Sequence, residues 1–212
     1  MWDEVLLRAR ITAAPAASGY LLVLPCPLGP VAGHADQLAE AGVAILLSLV
    51  PNEEAASVGL DLAALGRACA ARGVGWDQAP ILDFAVPDAA FERRWHTLGP
   101  ALRDELAKGR GVALHCRGGL GRSGTIAARL LIELGLDPAE AIARVRNSRP
   151  GAIETRAQEA YLRKLARRSR ERVESLPATP EPSGSAAQAG SGEPEQPGYS
   201  EAKAHERTAP RR

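Results

Sequence analysis

The run His115-Cys116-Arg117-Gly118-Gly119-Leu120-Gly121-Arg122-Ser123-Gly124 decides the reading of this chain. Five residues separate the cysteine from the arginine, and three of them are glycine. The apolar stretch Gly111-Val112-Ala113-Leu114 precedes the run and predicts a short buried strand. Residues 125–134 follow it with the composition of an apolar helix. A strand end, a glycine-rich loop and a helix start in succession predict an anion cradle. Backbone N–H groups at a helix N-terminus face a negative ligand, and the helix dipole favours its charge. Glycines let successive N–H groups turn inward without a Cβ clash.

Cys116 at the floor of such a cradle is the candidate nucleophile. A thiol attacks only when ionised, and a helix N-terminus, inward amides and a nearby cation all favour the thiolate. The sequence supplies the helix, the amides of Arg117, Gly118, Gly119, Leu120 and Gly121, and the cation Arg122. The planar fork of Arg122 suits two oxygens of a phosphoryl group in a way lysine cannot match. Ser123 is placed to donate its hydroxyl to the sulfur and so help it leave in a second step. His115 is expected to support the loop through a hydrogen bond. The competing reading is a glycine-rich turn with an incidental small, buried cysteine. It leaves His115, Arg122, Ser123 and the loop glycines without a role.

Outward from the loop, strand-like and helix-like segments alternate. Strands are expected at residues 20–24, 43–50, 74–81 and 111–114. Helices are expected at 34–41, 60–71, from Pro87-Asp88 to about 108, at 124–134, and from Asp137-Pro138 to about 147. A last helix begins at Glu154-Thr155, with Leu162, Leu165, Ser169 and Val173 on one face. This alternation implies an α/β fold, a central mostly parallel sheet flanked by helices. From residue 174 Pro, Gly, Ser, Ala, Glu and Gln dominate. Such a segment buries too little apolar surface to offset its ordering entropy. The expected organisation is a catalytic domain over 1–173 and a disordered tail over 174–212.

Composition excludes several function classes. The 212 residues carry a net charge of +1, which gives no electrostatic case for nucleic acid. No apolar run reaches the roughly 20 residues that span a bilayer, and Asp3 and Glu4 stand where a signal peptide would be basic. The three cysteines, 26, 69 and 116, lack metal-ligand spacing. A reducing, cytoplasmic setting and a monomer needing no metal or cofactor are expected.

The signature His-Cys-x5-Arg-Ser resembles that of the cysteine-dependent protein phosphatases, tyrosine-phosphatase-like in fold. Within them the chain is similar to the small atypical dual-specificity phosphatases of the VHZ type, and to the cyclin-dependent-kinase-associated phosphatase. Pro80-Ile81-Leu82-Asp83-Phe84 resembles the loop carrying the general acid of these enzymes. Arg149-Pro150-Gly151-Ala152-Ile153-Glu154-Thr155 with Gln158 resembles their segment beyond the second helix after the signature. The acid loop lies upstream of the cysteine, unlike in low-molecular-weight tyrosine phosphatases. Rhodanese-type sulfurtransferases usually have a loop one residue shorter. The resemblance implies that Cys116 attacks phosphorus, Arg122 and the loop amides hold the equatorial oxygens, Asp83 is general acid and then base, and Gln158 orients water.

Several residues carry competing readings. Asp88 rivals Asp83, but an aspartate after Pro87 reads as a helix N-cap, so Asp83 is preferred. Glu53 and Glu54 reach toward Arg122 in one reading and are solvated in the commoner one. Arg149 reads as an ion-pair strut. Phe84 lines the mouth of the site or belongs to the core. Cys26 and Cys69 read as packing residues. The basic run Arg163, Lys164, Arg167, Arg168, Arg170 and Arg172 reads as a solvated helix face. A loop with Arg117 but no lysine favours phosphotyrosine, with phosphoserine or phosphothreonine as further substrates, on a protein. The alternatives are a phosphoinositide or small phosphomonoester substrate, or a phosphopeptide-binding module without turnover.

Overall fold

The apolar run before the signature becomes the central strand of a five-stranded sheet in a computed structural model, which describes residues 10–12 and 18–174. The strands are β1 (Arg10–Thr12), β2 (Tyr20–Leu24), β3 (Val43–Ser48), β4 (Gly75–Gln78) and β5 (Gly111–His115), in the order β1-β2-β5-β3-β4. β5 pairs in parallel with β2 and β3, β3 in parallel with β4, and only β1 runs antiparallel, on β2. All five residues of β5 and all five of β2 are buried, as strands covered on both faces must be. The mostly parallel α/β architecture is therefore as expected. β1 carried no readable pattern.

The helices are α1 (Val31–Glu40), α2 (Asn52–Ser57), α3 (Leu62–Ala70), α4 (Ala89–Ala107), α5 (Gly121–Glu133), α6 (Pro138–Ser148) and α7 (Arg156–Glu174). Three N-caps follow local chemistry. Asp61 accepts from the Ala64 N–H, Asp88 from Phe91 and Asp137 from Ala139. Asp88 is thus a cap, as its position after Pro87 implies. The expected strand over 74–81 stops at Gln78, because Pro80 cannot donate to the ladder. α2 was not expected, and α5 starts at Gly121 rather than 124, so the helix takes in the end of the signature.

Behind the signature loop, α5 is clamped to its neighbours. Arg129, 5% exposed, binds Glu92 of α4 at 2.8 and 2.9 Å and Glu133 at 2.8 Å, and stacks 4.5 Å over the Trp95 ring. Trp95 donates to Glu133 at 2.9 Å, and Tyr161 of α7 to Glu92 at 2.8 Å. A buried cation is tolerated only with such complete pairing. No described helix is long and apolar enough to cross a membrane. The tail expected over 174–212 lies, apart from Glu174, outside the described residues.

Candidate active site

β5 delivers Cys116 to the C-terminal edge of the sheet, and α5 begins five residues later. Ligand sites of open parallel sheets lie at this edge. The loop between them is fastened through its carbonyl oxygens, one after another. Arg117 O accepts from the Cys26 N–H at 3.0 Å, and Leu120 O from Gly124 at 3.0 Å and Ile153 at 3.3 Å. Arg149 reaches in from the end of α6 and donates Nη2 to Gly118 O at 3.1 Å and Nε to Gly119 O at 3.0 Å. Thr125 Oγ1 donates to Gly121 O at 2.7 Å.

A trans peptide sets its N–H opposite its C=O. Carbonyls drawn outward at 117–120 therefore turn the amides of 118–121 inward, above Cys116. Gly119 makes the turn possible, with φ at +67°, and a Cβ there would strike Leu24 and Pro25 backbone atoms at 2.5 Å. The N-cap of α5, Leu120, has no side-chain cap, so its first-turn amides also face the bowl. Arg149 is thus a brace on the loop rather than the ion-pair strut expected.

Cys116 is 2% exposed, and its sulfur lies 3.2 Å from the Ser123 hydroxyl. Arg122, also 2% exposed, closes the far side. Its Nη1 binds Glu54 Oε2 at 2.6 Å and Ile81 O at 3.2 Å, and its Nη2 binds Glu54 Oε1 at 2.7 Å. Of five guanidinium hydrogens these contacts take three. The Nε–H and one Nη2 hydrogen remain, side by side on one edge of the fork, and that edge matches two oxygens of an anion. Glu54 is therefore the orienting carboxylate, not a solvated one, and its hydrogen bonds to Arg122 hold its carboxyl below the usual range. Arg122 is held above its own despite burial, by Glu54 and by Cys116 and Asp83 nearby.

The sheet edge also brings in Asp83, 45% exposed, whose Oδ1 lies 3.1 Å from Arg122 Nη2 and accepts from the Phe84 N–H. Asp88 points away, into its cap on α4. Phe84 is 59% exposed at φ +56°, and Leu82 is 72% exposed, so two apolar side chains flank Asp83 in solvent. Phe84 is not a core residue. A non-glycine residue at positive φ costs on the order of 1 kcal/mol or more.

Gln158 is fully buried beside Gly121. Its carbonyl accepts from Thr155 N–H at 3.3 Å, and its amide donates to Ala85 O at 3.3 Å. Glu154, whose carboxylate lies against Gly121, was assigned no role from sequence. Cys69 is core packing. Cys26 is buried too but sits at the loop, its sulfur 3.8 Å from His115 Nδ1. Burial, and then the neighbouring Cys116, push the Cys26 thiol up to about 11. Arg163 pairs with Glu159, in keeping with a solvated face, and the side chains beyond residue 165 lie outside the described residues.

His115 is fully buried, and burial pushes its imidazole down to about 4. The folded chain thus refuses a proton that the unfolded chain accepts below about pH 6.5. Stability is expected to fall as pH drops from 6.5 towards 4, by on the order of 3 kcal/mol from this residue. Urea unfolding at pH 7 and 4.5 checks it. His115→Gln should lose much of the difference, and an unchanged pH dependence would refute the assignment.

A thiol under inward amides, with an arginine closing a loop between a parallel strand and a helix, defines the class of cysteine-dependent phosphatases. The family model described as "Swiss Army Knife protein, DSP-PTPase phosphatase domain" matches residues 19–171, and the chain belongs to that family. It is 39% identical over 91 residues to human protein tyrosine phosphatase type IVA 3, a match covering 43% of this chain and 51% of that protein. The chain thus spans about half the length of this relative. Among solved structures, Tk-PTP in its active form is similar at 29% identity and TM-score 0.56, over 73% of this chain and 98% of that one. Kinase associated phosphatase, with its catalytic cysteine changed to serine, shares the fold at TM-score 0.62 and 24% identity, over 79% of this chain and 96% of its own. The resemblance to the atypical dual-specificity phosphatases is borne out.

Proposed function

We propose that this protein hydrolyses phosphomonoesters, phosphotyrosine on proteins foremost, through a cysteinyl-phosphate intermediate and without a metal. The observation that carries the reading is the loop itself: carbonyls fastened outward, amides turned in, a buried thiol beside the Ser123 hydroxyl, and an Arg122 guanidinium held by Glu54 with Asp83 against it. The Cys116 thiolate attacks phosphorus as the P–O ester bond breaks. Asp83 gives its proton to the departing phenoxide. The loop amides and Arg122 meet the charge on the equatorial oxygens. In the second step Gln158 orients a water, Asp83 takes its proton, the S–P bond breaks, and the Ser123 O–H stabilises the released thiolate.

Asp83 leans on the edge of Arg122 that the phosphoryl group needs, so an incoming dianion displaces it. Displaced from Arg122, the Asp83 carboxyl stands beside the leaving group and serves as its acid. The exposed Leu82 and Phe84 beside it suit an aromatic leaving group. The catalytic unit is residues 1–173, in keeping with the family match over 19–171. A cytoplasmic site of action is supported by free thiols at Cys26, Cys69 and Cys116.

The test is turnover of para-nitrophenyl phosphate and phosphotyrosine peptides in EDTA. Asp83→Asn is expected to lower kcat about 10²-fold and flatten the basic limb of the pH–rate profile, with Asp88→Asn changing stability alone. If only the change at 88 removes that limb, the acid is misassigned. Turnover that vanishes in EDTA and returns with a metal would overturn the metal-free reading.

A further inference from the structure

Among the described residues the exposed large hydrophobics are Leu28, Leu82 and Phe84. All three stand on loops at the C-terminal edge of the sheet, around the mouth of the bowl. Leu28 lies on the segment after β2, which is fastened to the signature loop through the Cys26 N–H and Arg117 O. Leu82 and Phe84 flank Asp83. Exposed apolar side chains scattered singly carry no meaning, but a group of them around one opening marks a contact surface. The Asp83 loop adds a cavity to that surface. Pro51, Pro80, Ile81, Leu82, Ala85 and Val86 line a cleft of about 330 Å³. Asp88 also lies on its wall, with its carboxylate committed to the Phe91 N–H at 2.8 Å. The wall is otherwise apolar.

Cleft and bowl share one strip of chain. Ile81 O accepts from Arg122 Nη1 at 3.2 Å, and Ala85 O from the Gln158 amide at 3.3 Å. Both ends of the segment 81–85 are thus pinned to residues of the site. Between them the Ala85 N–H donates to Leu82 O at 3.1 Å, closing a turn with Asp83 and Phe84 at its tip. Prolines at 80 and 87 fix φ on either side. The cleft wall therefore has a set position relative to the proton donor, and Leu82 and Asp83 are adjacent, about 3.8 Å apart between Cα atoms. A phosphorylated residue whose ester oxygen lies at Asp83 carries its chain neighbours past that wall.

We propose that this cleft is a substrate subsite taking one large apolar side chain, leucine or phenylalanine, from a residue within two positions of the phosphotyrosine on a protein. Its volume is at the low end for ligand pockets and suits a single side chain. The occupant is a peptide and not a bilayer. Within two residues of any lining residue the charged side chains are Glu53, Asp83 and Asp88, all acidic. Such a wall repels an anionic membrane, which juxtaposed lysines and arginines would attract. A concave wall also receives a side chain, whereas insertion among lipids calls for a protruding one. This inference rests on the phosphatase reading of the loop and names the substrate class for it.

The test uses the full chain and phosphotyrosine peptides that are otherwise alanine, with a single leucine, aspartate or lysine at each of the two positions on either side. Turnover gives kcat/KM, and calorimetric titration of Cys116→Ser gives binding. Leucine at one of these positions is expected to raise kcat/KM about 10-fold over alanine, with aspartate below alanine. Val86→Phe fills the cleft and Val86→Asp charges it. Each is expected to bring the leucine peptide down to the alanine peptide. Para-nitrophenyl phosphate has no chain to place there, so its turnover is expected to stay within about two-fold of the wild type. Should both variants fail to fold, Val86→Thr keeps the shape, adds a hydroxyl, and is expected to lose about three-fold of the gain. No leucine preference at any position would overturn the proposal, as would a preference that survives in the variants. Faster turnover of phosphoinositide vesicles than of every peptide would overturn it too. A leucine preference in binding to Cys116→Ser, with no phosphomonoester turned over by the wild type, would sink the phosphatase reading and leave the cleft standing.

Discussion

Cys116→Ser is expected to reduce turnover of para-nitrophenyl phosphate by roughly four orders of magnitude or more while leaving oxyanion binding within a few-fold of the wild type. The two effects separate because nucleophile and cradle are built from different atoms. Attack belongs to one sulfur, 2% exposed and 3.2 Å from the Ser123 hydroxyl. Binding belongs to amides whose carbonyls are fastened to Cys26, Arg149, Gly124 and Ile153, none of which the substitution touches. A seryl oxygen in the same place keeps its proton, since an alcohol is a far weaker acid than a thiol. Steady-state kinetics with calorimetric titration of vanadate or a phosphotyrosine peptide check the pair of results. Turnover surviving in the variant would remove the thiol from the mechanism.

Arg122→Lys is expected to behave differently, losing turnover and oxyanion affinity together. A roughly 10³-fold fall in kcat/KM is expected, because the ammonium offers no planar edge for two oxygens. The variant also strands Glu54, which is held by a two-point contact at 2.6 and 2.7 Å and is only 16% exposed. Loss of that geometry is expected to cost about 2 kcal/mol of stability, read by urea unfolding. The kinetic loss should exceed what the destabilisation explains. Wild-type vanadate affinity in Arg122→Lys would show that the guanidinium edge does not face the ligand.

The parts of this site that could be read from the chain are those close together in it. Cys116, Arg122 and Ser123 fall within one loop, and the Asp88 and Asp137 caps sit beside the helices they start. Asp83 was readable through its neighbours in the resemblance, and the structure brings it to Arg122. Between reaching Arg122 and being solvated the chain alone could not decide for Glu54, because its partner lies 68 residues away and α2 is too short at six residues to show a helical period. The same holds for Arg149, whose partners are carbonyl oxygens 30 and 31 residues upstream, groups every residue possesses. Ser48 and Trp76 gave no chemical signal on their own. The β3–β4 and β3–β5 register brings Trp76 Nε1 to Ser48 Oγ and Ser48 Oγ to His115 Nε2. Backbone acceptors and cross-strand neighbours are products of the fold, and a linear pattern does not encode them locally.

The central claim is that phosphorus passes through a bond to Cys116. Rapid acid quench of the Asp83→Asn variant during turnover, followed by peptide mapping, tests it most directly. With para-nitrophenyl phosphate, whose leaving group departs without a proton, the account predicts a phosphoryl group accumulating on the peptide that carries Cys116, because loss of Asp83 slows its hydrolysis more than its formation. A burst of product with no phosphoryl label on that peptide, or a label on any other residue, would contradict it.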